Sequence, residues 1–355
     1  MRGPDVLALL ADQDPVCPRE LPGPESAFGE RLKQRILLTE AIAPAPSPRR
    51  RRRWTVVAGA GAAALGLAAV ALPHAFRGHG LGASPAAAAL NRAAEAAVSA
   101  SPTTPAGRYA YSRARTLWSA TSTDEPPYTV LISRTVETWL AADGSGLVRE
   151  GPGKPVFPGP RDHARWLAAG APALAGHGGD QRYRPHEPDL PALARRDPDD
   201  LDAAQLDALM NAPAALPTDP DRLERLVRAY AKTKDPPLAS MMFNQLTELA
   251  GESWGSAGLR AAAYRVLARI DGVELAGEVR DPLGRRGVAL VAPVGYTDEI
   301  RSRLIIDPHS GDVLATQTLL AHRGDWIDAA PGDVVGQVVY VDSGRVDEVG
   351  RRPSQ

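Results

Sequence analysis

The sequence predicts an α+β fold: one transmembrane helix, then a curved antiparallel sheet with a helical insert. Three observations carry that reading. Residues 54–72 contain no charged side chain. Segments of alternating apolar and polar residues, the period of half-buried strands, lie before residue 151 and again after residue 272. Between them run segments whose apolar residues recur three and four apart, the period of helices packed on a core.

The charge-free run comes first in the argument. As a helix rising 1.5 Å per residue it crosses roughly 30 Å of hydrocarbon. It shows no polar face, as a surface helix of a soluble domain would. Arg49, Arg50, Arg51, Arg52 and Arg53 stand directly before it, whereas the far side opens with His74, Arg77 and His79. That basic excess orients the span, holding the N-terminus in the cytoplasm and sending everything after Phe76 outside the plasma membrane. The same arginines meet anionic headgroups of the bilayer. A cleaved secretory signal carries its basic region at the extreme N-terminus, and here the arginines begin only at residue 49. Ala58, Ala62 and Gly66, four residues apart, form a small-residue stripe through which two spans can approach as a homodimer.

Residues 1–53 are expected to be a cytoplasmic tail with one amphipathic helix. Ser26 is its N-cap, and Phe28, Leu32 and Ile36 recur on one face with Leu37 beside them. A lone amphipathic helix with nothing in its own segment to pack on calls for a partner or a lipid surface. Pro44, Pro46 and Pro48 then form an extended spacer before the span at 54–76. The single Cys17 falls in this tail, so no disulfide staples the outer portion. A formal net charge of -1 gives the chain no basic field for nucleic acid.

Residues 77–107 read as a juxtamembrane linker and a helix from Ser84 to about Ala100, stopped by Pro102 and Pro105. The outer domain is expected over 108–343. In "RYAYSRARTLW" Tyr109, Tyr111, Arg113 and Arg115 share a strand face. In "YTVLISRTVETWLAADGSG" Val130, Ile132, Val136 and Leu140 oppose Trp139, and Gly144 and Gly146 turn the chain into the strand "LVRE". Residues 151–200, rich in Pro, Gly and charge, are expected to be an irregular excursion. Helices resume with "DDLDAAQLDALMN", "DPDRLERLVRAYAKT", "PPLASMMFNQLTELAG" and "GSAGLRAAAYRVLARI". Asp219 caps the second of these, with Pro220 at its first position and Leu223, Leu226, Val227 and Tyr230 as its buried stripe. Five strands close the domain: "GVELAGEVRD", "RRGVALVAP", "RSRLIIDP", "GDVLATQTLLAH" and "DVVGQVVYVDS". Leu304 and Ile306 face one way there, Arg301 and Arg303 the other. Residues 344–355 are expected to be a disordered tail.

Motifs that imitate catalysis do not survive their context. "GESWG", Gly251–Gly255, matches a nucleophile elbow, with Asp271 and His309 or His322 downstream. That mechanism needs a strand before Ser253, and the preceding segment is helical by pattern. "GAGAAA" imitates a dinucleotide fingerprint but lies inside the apolar run. Asp197, Asp199, Asp200 and Asp202 lack the glycine and distal glutamate of a calcium loop and read as helix N-terminal charge. His163, His177, His186, His309 and His322 show no ligand spacing. No catalytic, metal or cofactor residue is assigned, and no enzyme is expected.

The order of arginine cluster, single span, "LPTDPDRL", "LRAAAYRVLARIDGVEL", "GRRGVAL" and "RLIIDPHSGDVLA" resembles an uncharacterised family of actinobacterial single-pass membrane proteins. The family often accompanies extracytoplasmic-function sigma factors, so the resemblance implies anti-sigma-like, envelope-sensing work with a cytoplasmic sigma factor as partner. The outline is also similar to the half-barrel of periplasmic lipoprotein carriers. The chain departs from the zinc-binding anti-sigma pattern, since residues 1–53 contain no His and only Cys17. A sigma factor would therefore be held by the Phe28/Leu32/Ile36 face. The expected function is regulatory or sensory and non-catalytic; the alternative is an anchored module binding a lipid or lipopeptide on the apolar face of the sheet.

Overall fold

The computed structural model describes residues 84–100, 107–123, 126–174, 178–183, 190–234, 237–251, 256–292 and 299–353, with the backbone of 54–57. Phe28, Leu32, Ile36, the arginines 49–53, and Ala58, Ala62 and Gly66 lie outside the described residues. No described helix is long and apolar enough to cross a membrane.

The expected α+β architecture is present as one 11-stranded antiparallel sheet with helices against it. Its strands are β1 (Trp54–Val57), β2 (Tyr109–Ser122), β3 (Thr129–Ala141), β4 (Gly146–Glu150), β5 (Lys154–Val156), β6 (Gly179–Tyr183), β7 (Glu274–Arg280), β8 (Arg286–Val291), β9 (Ile300–Ile306), β10 (Val313–Leu320) and β11 (Val334–Val346). The order is β6-β4-β3-β2-β11-β10-β9-β8-β7, with β5 paired to β3 and β1 to β2. Two meanders thus join at β2 and β11, the first and last long strands of the domain. All five strands expected in the C-terminal third are there.

The helices are α1 (Pro85–Ser99), α2 (Pro160–Ala168), α3 (Leu190–Leu193), α4 (Ala203–Met210), α5 (Pro220–Lys232), α6 (Leu238–Gly251) and α7 (Ala257–Leu267). The starts of α1, α5 and α4 have a local cause. The Ser84 hydroxyl accepts from Ala87 N, and Asp219 accepts from Arg222 N with Pro220 at the first position. Asp202 forms a capping box with Gln205, so the aspartate crowd does serve helix N-termini. The α5 stripe Leu223, Leu226, Val227 and Tyr230 is buried as its spacing predicts.

One continuous apolar core joins α1 and α4–α7 to one face of β8–β10, where Leu290, Leu304 and Ile306 point inward. The register places Arg303 opposite Gln317, and Gln317 opposite Gln337, on the other face. Leu304 and Arg303 therefore divide between faces as the alternation requires.

Three expectations need correction. Residues 151–200 are not merely irregular: they hold β5, α2, β6 and α3. The segments are too short and too rich in Pro and Gly to show periodicity, and their order comes from pairing with β3 and β4. The C-terminal tail is not disordered from residue 344, because β11 runs to Val346 and residues up to Pro353 fold back on the sheet. Trp54–Val57, where a helix was expected to open, pairs with Ser119–Ser122. Thr55, Val56 and Val57 are β-branched, and β11 has already left that stretch of β2, since its pairing stops at Leu117.

Candidate functional site

The sheet has two ends, and they differ. At the lower end lie the start of β2, the end of β11 and the β9–β10 turn; at the upper end lie the β2–β3 hairpin, the loop 321–333 and the start of β7. Helix α1 joins them. Its start shares a cleft of about 530 Å³ with Ala268–Val273 at the upper end. Its last turns meet Gly311 in the β9–β10 turn, where an added Cβ would stand 2.5 Å from Ala93 O. Gly311 has φ +70, so glycine is required there twice over.

On the lower part of the helix-free face, β2 and β3 bring Tyr111, Trp139 and Glu137 together. The Tyr111 hydroxyl donates to Glu137 Oε1 at 2.7 Å, and Arg352 donates from Nε at 2.7 Å and from Nη2 at 3.0 Å to the two carboxylate oxygens. Trp139 Nε1 donates to Arg351 O, and Val349 packs on the Tyr111/Trp139 cluster. Burial pushes the Glu137 carboxyl up, but the Arg352 and Tyr111 hydrogen bonds and the field of Arg352 and Arg113 outweigh it and hold it below its ordinary value. Burial, then the bond to Glu137, raise the Tyr111 hydroxyl. The arrangement straps the C-terminus onto the sheet. Both carboxylate oxygens of Glu137 are engaged by donors.

Higher on the same face, Arg303 donates from Nε and Nη2 to Gln317 Oε1 at 2.8 and 2.6 Å, and Gln317 Nε2 donates to Gln337 Oε1 at 3.0 Å. Burial lowers the Arg303 guanidinium's proton affinity. Its charge rests on a neutral amide.

At the upper end, α2 is clamped across the strand termini. Fully buried Asp162 accepts from Thr129 N at 2.9 Å through Oδ1 and from Asp328 N at 2.7 Å through Oδ2. Burial lifts its carboxyl above the ordinary value despite those two amides. Arg161 N donates to Asp328 Oδ2 at 2.8 Å, and Arg165 Nη1 donates to Pro127 O at 2.9 Å. Beside these clamps Phe157, His163 and Trp166 form an aromatic cluster with ring centroids 4.9, 5.2 and 5.6 Å apart. His163 is exposed, whereas Trp166, one helical turn after Asp162 on the same side, is half-buried and donates from Nε1 to Pro172 O at 2.9 Å. Leu167 is 53% exposed and Val156 51%.

The other residues singled out by sequence do not converge. "GESWG" falls between two helices, α6 before it and α7 after it, the wrong setting for a nucleophile elbow; Ser253 itself lies outside the described residues. Asp271 and His309 belong to opposite ends of the sheet. Among the described residues no group of His, Cys, Asp and Glu is arranged to hold a metal ion.

Sequence reasoning missed the α2 surface. Its signals were present: Pro160 at a first helical position, Asp162 in the first turn, and Trp166 and Leu167 three and four residues after His163. No family model, curated protein or solved structure matches the chain.

Proposed function

We propose that the chain is a single-pass membrane protein whose outer α+β domain is a non-catalytic regulatory or sensory module. The observation that carries this reading is the charge-free run 54–72 directly behind Arg49–Arg53, and the reading requires that the pairing of Trp54–Val57 with β2 be released in the membrane-bound chain. The cytoplasmic tail acts on a partner through Phe28, Leu32 and Ile36, and the family resemblance makes a sigma factor the partner to test. In support, the described domain spends its charged residues on clamps rather than on a reactive constellation.

The alternative, a lipid or lipopeptide carrier, has less behind it. Leu90, Leu223, Leu246, Leu290 and Leu304, each 0% exposed, fill the space between helices and sheet where such a ligand would lie.

Protease protection in intact protoplasts tests the topology, with a tag at each end of the full-length chain. The expected result is loss of the C-terminal tag and survival of the N-terminal one; protection of both overturns the reading. Deleting residues 1–40 then tests the signalling half. A changed transcriptome, with recovery of a sigma factor from native membranes by the intact chain only, is expected.

A further inference from the structure

We propose that Arg303, on the helix-free face of the sheet, is the centre of a binding site for an oxyanion of carboxylate or phosphate type. The inference goes beyond the reading above and does not depend on it, since every residue it uses belongs to the described sheet.

The register isolates the charge. Val291, Arg303, Gln317, Gln337 and Leu117 stand in one row across β8, β9, β10, β11 and β2. Side chains in such a row share a face, so Arg303 has an aliphatic neighbour on one side and an amide on the other. The acid of the row, Glu274, is opposite Val291 on β7, two strand spacings or about 10 Å from Arg303. It lies instead 3.4 Å from Arg301. Arg303 is left without a carboxylate.

The hydrogen bonds show what is missing. Nε and Nη2 of Arg303 both donate to one atom, Gln317 Oε1, where a carboxylate would offer each donor its own oxygen, as Glu137 does for Arg352. Gln317, 6% exposed, passes the polarity on by donating from Nε2 to Gln337 Oε1. Two donors remain, Arg303 Nη1 and Gln337 Nε2, and neither is a buried atom. The row presents donors and no anionic acceptor.

The surroundings make that charge costly. Ile305, the next residue of β9 on this face, belongs to a buried apolar cluster with Ala289, Ala315 and Val339. A guanidinium held beside it loses hydration that a neutral amide replaces only in part, and burial alone lowers its proton affinity. Other half-buried arginines of the domain have acids in place: Arg134 has Glu150 at 2.6 Å and Arg285 has Asp281 at 2.7 Å. An oxyanion arriving at Nη1 supplies to Arg303 what those sites have built in. Carboxylate and phosphate share the pair of oxygens that a guanidinium takes.

The test follows thermal denaturation of the full-length protein in detergent, with sodium acetate or sodium phosphate replacing chloride at constant ionic strength. The midpoint of the unaltered chain should climb with the logarithm of anion concentration. Arg303→Gln should lose that climb, apart from the solvent effect that both chains share. A climb with both anions assigns carboxylate-type recognition, and a climb with phosphate alone assigns a phosphate group. Gln317→Glu puts a carboxylate under the same two donors; it should raise the midpoint in chloride and abolish the climb. In heteronuclear NMR spectra, the arginine Nε–H signal that Arg303→Gln removes should shift as phosphate is added. Equal climbs in the unaltered chain and Arg303→Gln overturn the site. So does a Gln317→Glu midpoint in chloride below that of the unaltered chain, because the guanidinium would then be satisfied by its amide.

Discussion

The two halves of the sheet are stabilised differently. Strands β8–β10 lie under the helical layer and share with it one apolar core, where Leu223, Phe243, Leu246 and Tyr264 are almost wholly buried. Strands β2–β4 have only small clusters, such as Tyr111, Trp139, Leu147 and Val346. Charged clamps make up the difference there: Glu137 with Arg352, Asp162 with two backbone amides, and Arg134 with Glu150 at 2.6 Å. Apolar burial is non-directional and indifferent to pH, whereas each clamp depends on one carboxylate. The comparison assigns rigidity to the C-terminal half and responsiveness to the half that carries α2 and the strap.

The largest effect is expected where burial dominates. Phe243→Ala removes a ring that is 1% exposed from the helical core. It should cost about 3–5 kcal/mol, read as a lowered denaturation midpoint of the full-length protein in detergent. A loss no greater than that of a surface substitution would show that the core is not the stabilising element.

That half was also the more legible one. Its helices carry 3.6-residue stripes and caps, Asp219 with Pro220 being the clearest, and its strands alternate cleanly in "RLIIDPHSGDVLA". Local pattern suffices where one face is buried and the other wet. The pairing of β11 with β2 and the strap of Arg352 on Glu137 were not legible, because they join residues 215 or more positions apart and leave no periodic trace. Helix α2 was missed for a related reason. It is short, it carries no continuous apolar stripe, and a single buried aspartate ties it to the sheet. The expected partner-binding face Phe28/Leu32/Ile36 and the stripe Ala58/Ala62/Gly66 fall outside the described residues.

The second prediction sharpens the comparison in the clamped half. Asp162→Ala leaves Thr129 N and Asp328 N without acceptors in a buried site. At about 1–3 kcal/mol for each of the two stranded donors, offset in part by removal of the buried carboxylate's own penalty, the loss should reach roughly 2–4 kcal/mol. Asp162→Asn keeps one carbonyl acceptor and should cost about half as much. Amide exchange at Thr129 and Asp328 locates the effect; unchanged protection in Asp162→Ala would mean that α2 is held by packing instead.

The smallest effect is set by pH, and the two buried carboxylates should move in opposite directions. Glu137 titrates below its ordinary value in the folded chain. Its contribution is present above the ordinary glutamate pKa and disappears as pH falls through the folded value. Asp162 titrates above its ordinary value. Its ionised form carries a penalty at neutral pH that is relieved as pH falls through the raised folded value. Mild acid should therefore leave α2 clamped, and stronger acid should free the C-terminal strap first. Hydrogen exchange, corrected for its intrinsic pH dependence, should show protection of residues 345–353 falling while that of 156–168 holds. Glu137→Gln keeps the side chain's shape but removes the charge that Arg352 seeks, so its strap should be weakly protected at every pH. Parallel loss of protection in both segments would mean that the clamps open together and that the two halves of the sheet are not separately tunable.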